Sequence, residues 1–364
     1  MKFKPSWLFA LGLLWAGLGT ATIAVAEAPG QPQMRRIELR IDVTGSVPIP
    51  GKVEIAATAY LPDPKALGER PVVIFALPGG GVSRRYFDIR IPGHEGYSEA
   101  EYHAAHGFVF VAVDHLGVGD STTTALDSMR IEDIVAADDA AVKEISKRLV
   151  AGTLATGYPA LPGAFRVGIG GSMGGGVTIL MQGRHRTYDA IAPLGYSAIH
   201  TVLPQPTEAG RLQGMQAPER MLNRWTDPKT LSLSSSSAAT GDYVYPFFWE
   251  DVPREIVAAD QEGFRSHTPS ASWSSRTLPN CVIAMLSPGF VAEEAAHVDV
   301  PVLVGVGERD VVPNPLAEPA AFQGTRDITV FVVPHLAHNH NLGSSRRMLW
   351  DRIEDWARMT ARSR

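Results

Sequence analysis

A serine set among glycines is the part of this sequence best placed to do chemistry. It lies in Gly170-Gly171-Ser172-Met173-Gly174, the pattern Gly-x-Ser-x-Gly, between an apolar β-prone lead-in from Arg166 and a helix-like apolar segment reaching Leu180. That spacing predicts a strand turning sharply into a helix with Ser172 at the apex. Glycines two residues to either side remove β-carbons that would collide as strand and helix close. The chemistry it suits is nucleophilic attack on a carbonyl, with the Met173 amide at the helix N-terminus aimed at the developing oxyanion. A serine hydroxyl is a poor nucleophile until a base takes its proton and an acid orients that base. Two later stretches offer such groups. One is Gly307-Glu308-Arg309-Asp310-Val311-Val312-Pro313, with Asp310 and Glu308 as acids. The other is Pro334-His335-Leu336-Ala337-His338-Asn339-His340-Asn341, with three candidate bases.

Strand ends must carry these groups, and the hydrophobic pattern supplies the strands. Arg36–Val43 and Val53–Leu61 alternate apolar and polar positions, as half-buried antiparallel strands do. Pro71–Leu77 and Phe108–Val113 are continuous apolar runs, the mark of strands buried on both faces. Ala190–Leu194, Pro301–Val306 and Ile328–Val333 extend the series. Helical spacing covers Ser98–His106, Ile131–Leu149 and Ser344 to about Thr360. Strands alternating with helices imply right-handed crossovers and a mostly parallel sheet covered on both faces. Asp310 and His338 then follow two successive strands, where loops converge at the sheet's carboxyl edge.

Between 198 and 299 the alternation breaks. The stretch holds the serine run Ser232–Ser237, with one Leu inside it, and the aromatics Tyr243, Tyr245, Phe247, Phe248 and Trp249. A hundred structureless residues would not fit a compact domain, so the segment reads as an inserted cap with helices of its own, its aromatics either lining an acyl pocket or, the favoured reading, forming the cap's core. The core then occupies 27–197 and 300–364.

Composition narrows the partners. With 364 residues, 45% hydrophobic and 20% charged, the chain is ordinary globular material. A formal charge of −5 provides no basic footprint for nucleic acid. The single Cys281 builds no metal site or disulfide and reads as a buried small hydrophobe. Residues 1–26 read as an export signal, with Lys2 and Lys4, an apolar Trp7–Leu18 and a small-residue site Ala24-Val25-Ala26. Its cleavage takes the charge from −5 to −7 by removing two lysines and leaves no stable membrane span. The expectation is a periplasmic or secreted protein.

The elbow at Ser172, an acid after the penultimate strand and a histidine after the last one resemble, in that order, the α/β-hydrolase superfamily. The resemblance covers nearly all of the chain outside the cap and the signal. It implies an α/β-hydrolase-like, doubly wound, mostly parallel sheet with helices on both faces and an inserted cap. It favours His338, which follows Leu336-Ala337, over His335 and His340, and Asp310, which precedes Val-Val-Pro, over Glu308. It also implies a second oxyanion donor in Pro78-Gly79-Gly80-Gly81, by position Gly80, with Gly79 or Gly81 as one-residue alternatives. Pro78 stands where the family more often has histidine. Asp114-His115-Leu116-Gly117-Val118-Gly119-Asp120-Ser121 resembles the loop after the family's fourth strand, which shapes the pocket rim and is not catalytic. Arg84 and Arg85 are expected at the surface.

The expected activity is that of an exported serine hydrolase of carboxylic esters, acting on a small-molecule substrate without cofactor or metal. The same triad serves amide, lactone or carbon–carbon cleavage, or perhydrolysis. A hydrolase-fold binding protein is the non-enzymatic alternative, although such a module would be expected to have lost a triad member or an elbow glycine. Haloalkane dehalogenation is disfavoured because, in this superfamily, it needs an aspartate where Ser172 stands.

Overall fold

The structure is a computed structural model that describes residues 34–209, 244–266 and 271–363, with side chains from 262 to 266 left aside. The signal segment, Ser232–Ser237 and Tyr243 lie outside the described residues.

Eight strands form one sheet in the order β1-β2-β4-β3-β5-β6-β7-β8. They are β1 Arg35–Asp42, β2 Glu54–Leu61, β3 Val72–Leu77, β4 Val109–Val113, β5 Phe165–Gly171, β6 Ala190–Leu194, β7 Val302–Arg309 and β8 Ile328–Ala337. β1 with β2 and β2 with β4 pair antiparallel, and every pairing from β4 to β8 is parallel. The principal helices are α1 Glu99–Ala105, α2 Ile131–Ala151, α3 Met173–His185, α4 Val244–Phe247, α5 Arg254–Ser266, α6 Ala292–His297 and α7 Arg346–Arg362.

The two-residue period of a strand divides the core into two layers. On β3, Val73, Phe75 and Leu77 join one cluster with Ile134, Val142 and Ile145 of α2 and Val177 and Leu180 of α3. Val72, Ile74 and Ala76 join the other, with Ala100 and Ala104 of α1 and Leu349, Ile353 and Trp356 of α7. Each large side chain taken fully out of water contributes roughly 1.5–3 kcal/mol, so a strand buried on both faces is a strong anchor for the loop that leaves it.

Two strands differ from the sequence pattern. β2 is buried along nearly its whole length rather than on one face. It lies inside the sheet between β1 and β4, with α1 and α2 packed against it. β8 continues past Val333 to Ala337, because a register shift between Gly307 and Arg309 lets Arg309 pair with Ala337. His335 is therefore a strand residue, at φ 54°, and not part of a loop.

A third, smaller cluster gathers Phe248, Val252, Ile256, Ala271 and Trp273 with Ile89, Tyr97 and Leu342. It seats α4 and α5 on loops at the carboxyl edge of the sheet. Of the described aromatics from Tyr245 to Trp249, Phe248 is the one wholly buried.

Candidate active site

Ser172 occupies the turn between β5 and α3 with φ 52° and ψ −121°, a left-handed conformation that a side chain adopts only under constraint. The constraint is visible. Ser172 N donates to Leu194 O at 2.7 Å on β6, and Gly175 N donates to Ser172 O at 2.8 Å. A Cβ on Gly170 would stand 2.1 Å from Gly174 O, and one on Gly174 would stand 2.2 Å from Leu77 O. The turn closes only because both β-carbons are missing.

Met173 is the first residue of α3, where a helix leaves its amide without an internal acceptor. The Pro78–Gly81 loop faces it. Gly79 is the glycine packed on the serine, since a Cβ there would lie 3.3 Å from Ser172 Cβ, whereas one on Gly80 would point at Leu278. Among the described residues, the amides of Met173, Gly79, Gly80 and Gly81 have no hydrogen-bond acceptor. Unpartnered donors at Met173 and Gly79, both beside the serine, suit an incoming oxygen.

Asp310 follows β7 and its side chain is fully buried. Oδ1 accepts from His338 Nδ1 at 2.6 Å and Val311 N at 2.7 Å. Oδ2 accepts from His340 Nε2 at 2.6 Å and Gly307 N at 2.8 Å. Burial by itself would push this carboxyl up, but the two imidazoles, through charge and hydrogen bonds, hold it well below the usual carboxylate range. An ionised Asp310 keeps the proton of His338 on Nδ1 and leaves Nε2 as the free base.

Ser172 and this pair are linked through β6. Leu194 holds the serine's amide, and the next residue, Gly195, lies so close to Asp310 that a Cβ would be 3.2 Å from either carboxylate oxygen. Among the described residues the Ser172 hydroxyl has no hydrogen-bond partner, so Asp310 and His338 are joined to each other and Ser172 is not joined to either. Catalytic hydrogen bonds of this kind often tighten only with substrate present.

Two of the competing groups, Glu308 and His335, lie apart. Glu308 is exposed, and its Oε2 accepts from His335 N at 3.0 Å. His335 stacks on Trp249 with ring centroids 5.4 Å apart. His340 is drawn into the site through Asp310, which its position two residues after His338 did not reveal.

The segment from Val244 to Glu250 is clamped onto the same loops. His338 N donates to Pro246 O at 3.2 Å, Asn339 N donates to Phe247 O at 3.0 Å, and the Phe247 ring meets the His338 ring edge-on at 5.3 Å. Beside Asp310, the Arg309 guanidinium lies 4.1 Å from the Tyr245 ring centroid and 4.6 Å from that of Trp249. Its Nη2 donates to Phe248 O at 2.6 Å, and its Nη1 pairs with Glu250.

One expectation for the flanking loops is corrected. Arg84 is buried, not at the surface. Its guanidinium meets Asp114, Asp120, Glu38 and Thr58, a set of acceptors that offsets its desolvation. Arg85 remains exposed, paired with Asp120. Asp114 and His115, at the head of the 114–121 loop, are both completely buried. Cys281 is half-buried, with its thiol pushed up to about 12 by burial, which makes it a poor nucleophile. Among the described residues no group of three or more His, Cys, Asp or Glu could hold a metal ion, and no helix is long and apolar enough to cross a membrane.

A sequence profile of the alpha/beta hydrolase family matches residues 73–349. Similar solved structures include a thermophilic esterase from Thermogutta terrifontis, 15% identical with a TM-score of 0.59 over 89% of this chain and 99% of that one. A loop variant of a haloalkane dehalogenase from Bradyrhizobium elkanii is 12% identical, with a TM-score of 0.58 over 90% of this chain and 98% of that one. An enol-lactonase from Burkholderia xenovorans is 16% identical, with a TM-score of 0.54 over 83% of this chain and 96% of that one. At such identities the likeness is one of fold. No curated protein matches the sequence closely enough to count as a relative.

Proposed function

The chain belongs to the alpha/beta hydrolase family, and from that premise we propose that it is an exported serine hydrolase of carboxylic esters. The observation that carries the reading is the buried Asp310 bound to His338 Nδ1, one residue removed from the strand position that holds the Ser172 amide. The unpartnered amides beside the serine support it further.

Ser172 Oγ attacks the ester carbonyl as His338 Nε2 takes its proton, and Asp310 holds the imidazolium that results. The oxygen of the tetrahedral intermediate is held by the amides of Met173 and Gly80, with Gly79 or Gly81 as the alternative second donor. The alcohol leaves with the proton from His338, forming the acyl-enzyme. A water molecule then gives a proton to the same nitrogen, attacks the acyl carbon and releases the acid, restoring Ser172. Serine at the elbow, where haloalkane dehalogenases of this superfamily need aspartate, favours acyl chemistry. Export through residues 1–26 belongs to the same proposal.

The test is hydrolysis of p-nitrophenyl esters from acetate to palmitate by the purified protein, with Ser172→Ala and His338→Ala beside it. Turnover that disappears in both variants supports the reading, and the chain-length optimum sizes the acyl pocket. Labelling of Ser172 by a fluorophosphonate without ester turnover moves the proposal to amides, lactones or carbon–carbon bonds. Neither turnover nor labelling overturns the hydrolase assignment in favour of a binding role.

A further inference from the structure

His115 has no part in the chemistry just described, yet it is fully buried beneath the loop that would bind the oxyanion. Its Nδ1 lies 2.5 Å from Asp138 Oδ2 on α2, and its Nε2 donates to Pro78 O at 2.9 Å. A carbonyl only accepts, so Nε2 carries a proton, and a second proton lies between Nδ1 and Asp138. The other Asp138 oxygen accepts from Leu116 N at 3.2 Å. The ring cannot turn or exchange tautomers without breaking one of these bonds.

Pro78 is where such an anchor has most effect. A proline has no N–H, so its carbonyl is the one backbone group by which it can be held. In a planar trans peptide the C=O and the following N–H point in opposite directions. Fixing Pro78 O therefore fixes the direction of Gly79 N–H, and the Gly80 amide follows one residue later. At its far end the loop is held by Ser275 N, which donates to Gly81 O at 2.9 Å, but Gly79 and Gly80 have no side chains and only a long 3.5 Å bond from Val82 N to Gly79 O among the described residues. Pro78 O also abuts α3, since a Cβ on Gly174 would lie 2.7 Å from it. One buried imidazole thus connects α2, the glycine loop and the start of the nucleophile helix.

We propose that His115, backed by Asp138, is a positioning residue that aims the amides of the Gly79–Gly81 loop at the oxyanion. The proposal rests on reading that loop and Met173 as the oxyanion site. It separates two contributions: substrate binding, which does not need the aim, and the tetrahedral state, which does.

The experiment compares wild type, His115→Leu and His115→Gln for kcat and KM on p-nitrophenyl butyrate and for inhibition by butylboronic acid, which forms a tetrahedral adduct with an active serine. Removing a whole oxyanion donor lowers kcat by about 100- to 1000-fold, so misaiming one in His115→Leu is expected to lower kcat roughly 10- to 100-fold with KM within about threefold. The boronate Ki is expected to weaken in step with kcat. His115→Gln, whose amide can reach Pro78 O, is expected to recover most of the loss. A fall in kcat without weaker boronate binding, a loss carried by KM, or a Gln variant no better than Leu overturns the proposal. Should His115→Leu fail to fold, His115→Gln and His115→Asn decide instead. Only the longer side chain reaches Pro78 O, so equal kcat in the two overturns it. An active wild type with an unaffected His115→Leu enzyme sinks this inference alone. An inert wild type that takes no fluorophosphonate sinks the serine-hydrolase reading and this one together.

Discussion

Replacing Asp310 by Asn keeps the side chain's size and removes one acceptor oxygen from a site with none to spare. All four partners of Asp310 are donors: His338 Nδ1 and Val311 N on one oxygen, His340 Nε2 and Gly307 N on the other. An amide has one oxygen and one NH2, so in either orientation the NH2 meets one imidazole and one backbone N–H. The imidazole can respond by moving its proton to the other ring nitrogen, but the backbone N–H cannot. With the NH2 toward His338, the proton moves to Nε2, the atom that must receive the Ser172 proton. An error of that kind lowers kcat about 10⁴-fold, or about 5.4 kcal/mol of transition-state stabilisation. With the NH2 toward His340, the His338 tautomer survives, and only the negative charge facing its imidazolium is lost. In both orientations a buried N–H loses its acceptor, at about 1–3 kcal/mol of stability. The assay is kcat on p-nitrophenyl butyrate together with a thermal melt. A loss of about 100- to 10⁴-fold in a folded Asp310→Asn enzyme is expected, spanning the two orientations. Glu308→Gln, exposed and among the described residues bonded only to the His335 amide, is the control and should stay near wild type. A folded Asp310→Asn enzyme within about threefold of wild type would refute the assignment of Asp310 as the orienting acid.

Gly174→Ala drives a Cβ to 2.2 Å from Leu77 O and 2.7 Å from Pro78 O, both backbone atoms. A stability loss of about 1–3 kcal/mol in urea unfolding is expected, together with slower fluorophosphonate labelling, and an unchanged midpoint would contradict the packing argument. Arg309→Ala removes two guanidinium–ring contacts and a hydrogen bond to Phe248 O, so limited proteolysis should cut within 244–250 sooner. An unaltered cleavage pattern would show that the clamp does not depend on this arginine. His103, fully buried, is opposed by desolvation, but Glu354 at 2.9 Å and Glu99 at 3.5 Å raise its pKa above the ordinary value. A raised folded pKa means its contribution is complete below the unfolded value of about 6.5 and is lost as pH rises through the folded one. The melting-temperature gap between wild type and His103→Gln should therefore narrow from about pH 6 to pH 9. A gap that widens with pH would reverse the sign.

Much of the scaffold was legible because its signals are local. The apolar runs at Pro71–Leu77 and Phe108–Val113 are β3 and β4, buried on both faces. The Gly-x-Ser-x-Gly spacing located the turn between β5 and α3, since only missing β-carbons at 170 and 174 permit that approach. Local signals ran out where sheet order mattered. β2 looked half-buried because its alternation says nothing about having β4 as a neighbour. β8 looked shorter because the shift opposite Gly307 belongs to β7.

For the proposed site, the sequence by itself offered the candidate side chains and the order in which they leave the sheet: Ser172, Asp310, His338. Only the tertiary structure decided which charges meet. Asp310 takes two histidines 28 and 30 residues away, Arg84 is drawn inside by three carboxylates from two separate segments, and His115 reaches back 37 residues to Pro78. Residue type, glycine spacing and apolar period are written along the chain. A hydrogen bond between distant loops depends on strand order and register, which bring its partners together only when the whole sheet has formed.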